Sequence, residues 1–200
     1  MPVGPENSFQ DERVRDIIIE RNWFRAGSST EVLLKLFASR ITVRNNLFDQ
    51  SNGANGLNDN IRVIWVDRRG IEPIPDANRI YNNTIYRSNG IAGGTFYGIV
   101  LSLGTNMVVR NNLGYAPSIS GAVMLVDGAT ATTKSNNSSD SQLRGMDPRF
   151  TVTPPTTPAQ YKPMSGYAVG GGSISPKAPV WSDFFRAPTP STPDIGAVIH

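Results

Sequence analysis

Cysteine is absent from this chain, which removes disulfides, thiolate nucleophiles and cysteine-held zinc together. Histidine occurs once, as His200 at the end, so a histidine base is not expected. No stretch approaches about 18 apolar residues, so no membrane-spanning helix is expected. The opening Met1-Pro2-Val3-Gly4-Pro5 lacks the basic and apolar regions of a signal peptide, and export is not visible in it. A dominant charge is missing too: 19 basic against 16 acidic side chains leave +3, with no run of like charge. That falls short of a nucleic-acid footprint and leans only weakly toward acidic partners. Helical windows are scarce. Residues 29 to 40 have a cap-like start at Thr30-Glu31-Val32, yet they fall where the repeat calls for a strand.

What is present is a repeat. A few alternating β-branched residues run into Asn, usually doubled, at Ile17 to Phe24, Ile41 to Phe48, Arg79 to Ile85 and Met107 to Leu113, fading at Lys134 to Ser138. From Asn22 to Asn46, Asn83, Asn112 and Asn137 the steps are 24, 37, 29 and 25 residues. Periods of this size mark a solenoid. Each phrase has a second apolar companion: Val32 to Phe37, Ile61 to Val66, Tyr97 to Leu103 and Ala122 to Val126. These are short, rich in β-branched residues and bounded by Gly, Asn, Ser or Asp, which argues strands.

Two strands and two turns per coil predict an all-β parallel β-helix of about five coils, stacked about 4.8 Å apart. The repeated Asn then has a structural task. Its short amide tolerates left-handed backbone angles at the bend and bonds to its counterpart in the next coil. Ile17, Ile19, Ile41, Val43, Ile80, Met107 and Val109 should stack inward as aliphatic columns. The 37-residue step carries extra chain at Gln50 to Asn60 and Asp67 to Asp76, with a smaller excess at Arg87 to Thr95. Long turns on one face of a solenoid commonly form its binding surface, and loop drift without function is the other reading.

Composition changes after the last Asn pair. Ten of the 15 prolines lie between Pro148 and Pro193, with Gly170-Gly171-Gly172 among them. The chain therefore divides into coils over 1–145 and a Pro/Gly-rich tail over 146–200, expected to pack on the last coils. The triple glycine reads as a loop, because no strand-to-helix context or following Lys-Ser/Thr supports a phosphate cradle.

These residues carry a family resemblance. The Asn-Asn coils resemble right-handed parallel β-helix proteins of the pectate-lyase-like superfamily. The tail is similar to the C-terminal part of many bacterial members, with Asp147-Pro148-Arg149-Phe150, then Tyr161 to Gly166, and finally Asp194-Ile195-Gly196-Ala197. Val198-Ile199-His200 departs from the aromatic-acidic ending usual there. The resemblance implies a polysaccharide partner, chiefly an acidic one, and an extracellular or periplasmic setting. Enzymes of the family act by β-elimination or hydrolysis, and other members are adhesins or spikes. Family enzymes are usually longer, so the resemblance implies that a partner subunit covers the lower coil as a homo-oligomer, or that the chain is the C-terminal part of a longer protein.

β-Elimination from a uronate needs a base and a cation that neutralises the carboxylate, often calcium held by acids. Hydrolysis needs two carboxylates about 5–10 Å apart. If Leu34 and Leu36 point inward, Lys35 points outward. The same alternation puts Asp67 just past its strand and Asp127 at the matching end two coils on, about 9.6 Å away. Arg68, Arg69 and Glu72 lie in the adjoining insertion, Trp65 offers a sugar-stacking face, and Tyr97 lines the same groove. Lys35, Asp67, Arg68, Arg69 and Asp127 are the catalytic candidates, and Trp65, Glu72 and Tyr97 the substrate-binding ones. The alternative is that all are ordinary surface residues. No cofactor is required, calcium is compatible, and no metal-ligand cluster stands out. Two functions follow: a lyase or hydrolase acting on an acidic polysaccharide, or a non-catalytic module that serves as a stalk or binds polysaccharide through exposed aromatics such as Trp65, Tyr86 and Tyr97 along a groove.

Overall fold

The computed structural model describes residues 2–3, 14–27, 31–53, 60–68, 70, 72–91, 94–138, 147–169, 171–172, 182–188 and 194–198. They form an all-β parallel β-helix of three parallel sheets. Sheet 1 stacks β1 (Pro2–Val3), β4 (Val32–Leu36), β7 (Asn60–Val66), β10 (Thr95–Leu101) and β13 (Val123–Asp127). Sheet 2 stacks β2 (Ile18–Glu20), β5 (Thr42–Arg44), β8 (Arg79–Tyr81), β11 (Val108–Arg110) and β14 (Thr133–Ser135). Sheet 3 stacks β3 (Trp23–Arg25), β6 (Leu47–Asp49), β9 (Thr84–Tyr86) and β12 (Leu113–Tyr115). One coil therefore holds three strands, not two, because each Asn phrase spans a strand, a bend and a further strand.

The paired asparagines divide the work of that bend. The first residue of each pair takes the left-handed conformation, at Arg21, Asn45, Asn82, Asn111 and Asn136, with φ of 50° to 55°. The second forms the ladder. Asn46 Oδ1 accepts the backbone N–H of Asn22 at 3.0 Å and its side-chain N–H at 3.1 Å. Asn46 Nδ2 donates to Ile19 O at 2.8 Å and to Asn83 Oδ1 at 3.0 Å. The same links join Asn83 to Asn112 and Asn112 to Asn137. Buried amides are costly unless paired, and here the pairing closes from coil to coil.

A second column of bends joins sheet 1 to sheet 2. Its left-handed residues are Asp16, Arg40, Ala77, Asn106 and Ala131. Arg40 and Ala77 stand 37 apart, as Asn46 and Asn83 do, so the long step adds nothing between the two corners. All extra chain lies in the loops flanking β7.

Inside, Ile41, Val43, Ile80, Met107 and Val109 are buried in one core with Leu34, Leu36, Val66 and Leu101, while Ile17 packs partly buried against it. Phe24 stacks on Phe48 at 4.8 Å with rings 3° apart. The top coil changes character. Lys134 occupies the inward column of Val109 and Ile80, and Asp127 that of Leu101 and Val66. Lys134 Nζ stands 3.7 Å from Asp127 Oδ2, so a charge pair faces water where the aliphatic columns end. At the other end, the lower edge of β4 is paired by β1 of the same chain.

The tail forms a second core against the outer side of sheet 3. Phe150, Tyr161, Ala168, Ile195, Ala197 and Val198 pack on Leu47, Tyr86, Leu113 and Tyr115. Its anchors run along the coils: Asn136 Nδ2 donates to Gly171 O, Gly196 N to Asn111 O, Ala197 N to Thr84 Oγ1, and Asn45 Nδ2 to Ser182 O. Gly196 has φ of +112°, and a Cβ there would sit 2.7 Å from Thr84 Oγ1. Only glycine brings the backbone this close. Burial beside Asp49 pushes the Tyr86 phenol up to about 12, and the phenols of Tyr115 and Tyr161 are also raised, mainly by burial.

Candidate functional site

Sheet 1 carries Lys35, Trp65 and Tyr97 at partly exposed positions. Its strands do not alternate strictly. In β7, Ile61, Val63, Ile64 and Val66 are buried while Arg62 and Trp65 are partly exposed. Two successive core residues, Val63 and Ile64, mark a bend in the strand, and it brings Arg62 and Trp65 to the same face. Trp65 lies level with Lys35 of β4 and Val100 of β10, and Arg62 lies level with Tyr97.

These side chains form one cluster. Lys35 Nζ lies 5.0 Å from the Trp65 ring centroid and the Arg62 guanidinium carbon 4.8 Å from it. The indole N–H donates to Ser102 Oγ at 2.8 Å, and Phe37 packs edge-on at 6.5 Å. Trp65 is thus held from several sides and itself holds two cations, each contact worth about 0.5–1 kcal/mol at such exposure. Among the described residues neither Lys35 nor Arg62 has a carboxylate partner. The ring is occupied by cations, so what the cluster offers outward is two positive charges at fixed spacing more than a bare stacking surface.

The other sequence candidates fall elsewhere. Asp67 follows β7, and its Oδ1 accepts the N–H of Arg68 at 2.8 Å. Arg68 is exposed, and Arg69 lies outside the described residues. Asp127 is level with Leu101 and Val66, one residue short of the level of Asp67. Its Oδ1 accepts from Thr132 Oγ1 at 2.9 Å and from Ala129 N at 3.2 Å, so it closes the top of the solenoid. Glu72 is buried, with Oε2 lacking a hydrogen-bond partner among the described residues. The structure therefore gathers Lys35, Trp65 and Tyr97, adds Arg62, and separates Asp127 from them. Arg62 escapes sequence reading because strict alternation assigns residues three apart to opposite faces.

Chemically, the face joins a possible base, Lys35 or Tyr97, to a fixed cation, Arg62. Of the two carboxylates expected as a hydrolytic pair, Asp127 lies in an inward column beside Lys134 and is not presented on this face. Among the described residues no group of three or more His, Cys, Asp or Glu is placed to hold a metal ion. The described donors on this face do not make a calcium site. No described helix is long and apolar enough to cross a membrane. No family model matches the sequence, and no curated protein or solved structure matches it.

Proposed function

We propose that the chain binds an acidic polysaccharide across the outer face of sheet 1, with Lys35 and Arg62 taking the carboxylates. The observation that carries this reading is that two cations without carboxylate partners among the described residues share one tryptophan. An anionic chain of sugars supplies what that arrangement lacks, and neighbouring cations raise the local concentration of such a ligand. The resemblance of the Asn-Asn coils and of Asp194-Ile195-Gly196-Ala197 to pectate-lyase-like proteins supports the same ligand class and an extracellular or periplasmic setting.

Of the reactions open to that class, β-elimination suits the residues. Arg62 neutralises a uronate carboxylate, which acidifies the C5 proton; Lys35 or Tyr97 removes that proton, a C4–C5 double bond forms as the C4–O glycosidic bond breaks, and the leaving oxygen takes a proton from water. Binding without turnover is the second reading. It is favoured by Lys35 Nζ being already engaged over the Trp65 ring, 5.0 Å from its centroid.

Incubating the purified chain with polygalacturonate and alginate, with and without calcium, tests both. New ultraviolet absorbance from an unsaturated uronate, lost in Lys35→Ala, is the lyase outcome. Retention on the polymers without absorbance, lost in Arg62→Ala, is the binding outcome. Neither retention nor absorbance from a folded sample would sink the proposal.

A further inference from the structure

A second anion-responsive place lies on the outer face of sheet 2, away from the cluster at Trp65. One column there runs Glu20, Arg44, Tyr81, Arg110, Ser135 in register from coil to coil. Its lower half is charge-matched: Glu20 bonds both Arg44 and Arg21. Its upper half holds no acid. Arg110 is 3% exposed, and its Nε and Nη1 have no hydrogen-bond partner among the described residues. Ser135, level with Arg110, has a buried and equally unpartnered Oγ. Burial lowers the pKa of Arg110, and the nearby charge of Arg79 lowers it further.

Buried cations are expensive, and this protein handles another one differently. Arg87 is fully buried, and its guanidinium donates to the carbonyls of Gln50, Asn89 and Gly90. Among the described residues Arg110 has no such set. Its guanidinium carbon lies 5.9 Å from the Tyr81 ring, which leaves the N–H groups at its edge for another partner. Arg79, on the same face one coil below, is exposed, and it lines a cavity of about 300 Å³ together with Asp16, Ile17, Ile18, Arg40, Thr42 and Ala77.

We propose that Arg110, Ser135 and Arg79 form a binding site for a tetrahedral oxyanion, a sulfate or phosphate group. The donors come from three successive coils and are not coplanar, which suits oxygens pointing in several directions better than a flat carboxylate. Two guanidinium groups without an acid between them call for a doubly charged partner. The anion completes the hydrogen bonds of Arg110 and Ser135 that are left open among the described residues. The proposal is independent of the polysaccharide reading.

The test is thermal unfolding of the full chain titrated with sodium sulfate or sodium phosphate, against sodium chloride at matched ionic strength. A saturable rise in Tm with sulfate or phosphate, absent with chloride, is expected. Arg79→Ala, at an exposed position, should weaken the response about tenfold while leaving the anion-free Tm nearly unchanged. Ser135→Ala should weaken it less. Dextran sulfate binding far more tightly than inorganic sulfate would identify a sulfate ester on a polymer as the source, and comparable binding would identify the free ion. No difference between the oxyanions and chloride would overturn the site, as would an undiminished response in Arg79→Ala and Ser135→Ala together.

Discussion

Sheets 1 and 3 are both stacks of short parallel strands, and both carry aromatic side chains outward. On sheet 3, Tyr86 and Tyr115 lie under the tail, and their phenols are driven upward in pKa by the loss of water. On sheet 1, Trp65 and Tyr97 stay partly exposed and Val126 is 38% exposed. There the aromatic surface is covered by the stems and charges of Lys35 and Arg62 instead. The strands alone do not decide which face becomes core and which remains available to a ligand. That decision is made by a segment arriving from the far end of the sequence, and by a single glycine that lets it approach.

The strongest perturbation should strike both faces at once. Asn83→Ala removes the acceptor for Asn46 N and Nδ2 and strands the Val43 and Tyr81 carbonyls inside the column. A loss of about 3–5 kcal/mol is expected in denaturant unfolding. Gly196→Ala should instead separate the faces. A Cβ 2.7 Å from Thr84 Oγ1, at φ of +112°, drives the tail from sheet 3 at a cost of about 2–4 kcal/mol. Tail cleavage by protease should accelerate while ligand binding at sheet 1 persists; loss of binding in step with cleavage would break the distinction.

Alkali should act in the same direction with a smaller effect. The Tyr86 phenol titrates at about 12 when folded and near 10 when unfolded. The folded state therefore holds its proton longer, and its stabilisation is complete below pH 10 and lost as pH rises toward 12. About 2–3 kcal/mol should disappear over that window, read from unfolding midpoints at each pH. Smallest in stability is Trp65→Ala, expected to cost less than about 1 kcal/mol beyond its lost packing, since the residue is partly exposed. Its affinity for polygalacturonate should nevertheless fall about tenfold, because Lys35 and Arg62 lose the surface that holds them.

The inner half of this architecture is legible in sequence because it repeats. Ile41, Val43, Ile80 and Val109 announce the inward columns, and the second Asn of each pair announces the ladder. The second column of bends is silent, since Asp16, Arg40, Ala77, Asn106 and Ala131 share a backbone angle and no side-chain chemistry. Neighbouring coils hold Arg40, Ala77 and Ala131 in a conformation their own preferences oppose. The bend at Val63-Ile64 shifts the parity of β7, which hides Arg62 from alternation. Asp127 was misplaced by one position: it is level with Val66, not Asp67, and so falls in an inward column. β4 carries the same irregularity at Leu33-Leu34, but Lys35 reads correctly as outward because its two neighbours, Leu34 and Leu36, lie on the same side of it.

Amide hydrogen exchange, with and without polygalacturonate fragments, tests the central claim most directly. Slowed exchange confined to β4, β7, β10 and the loops flanking β7, with the tail and sheet 3 unchanged, is the result expected. Protection that falls on sheet 3 and the tail, or no protection at concentrations where the polymer is bound, would contradict the assignment of sheet 1 as the ligand face.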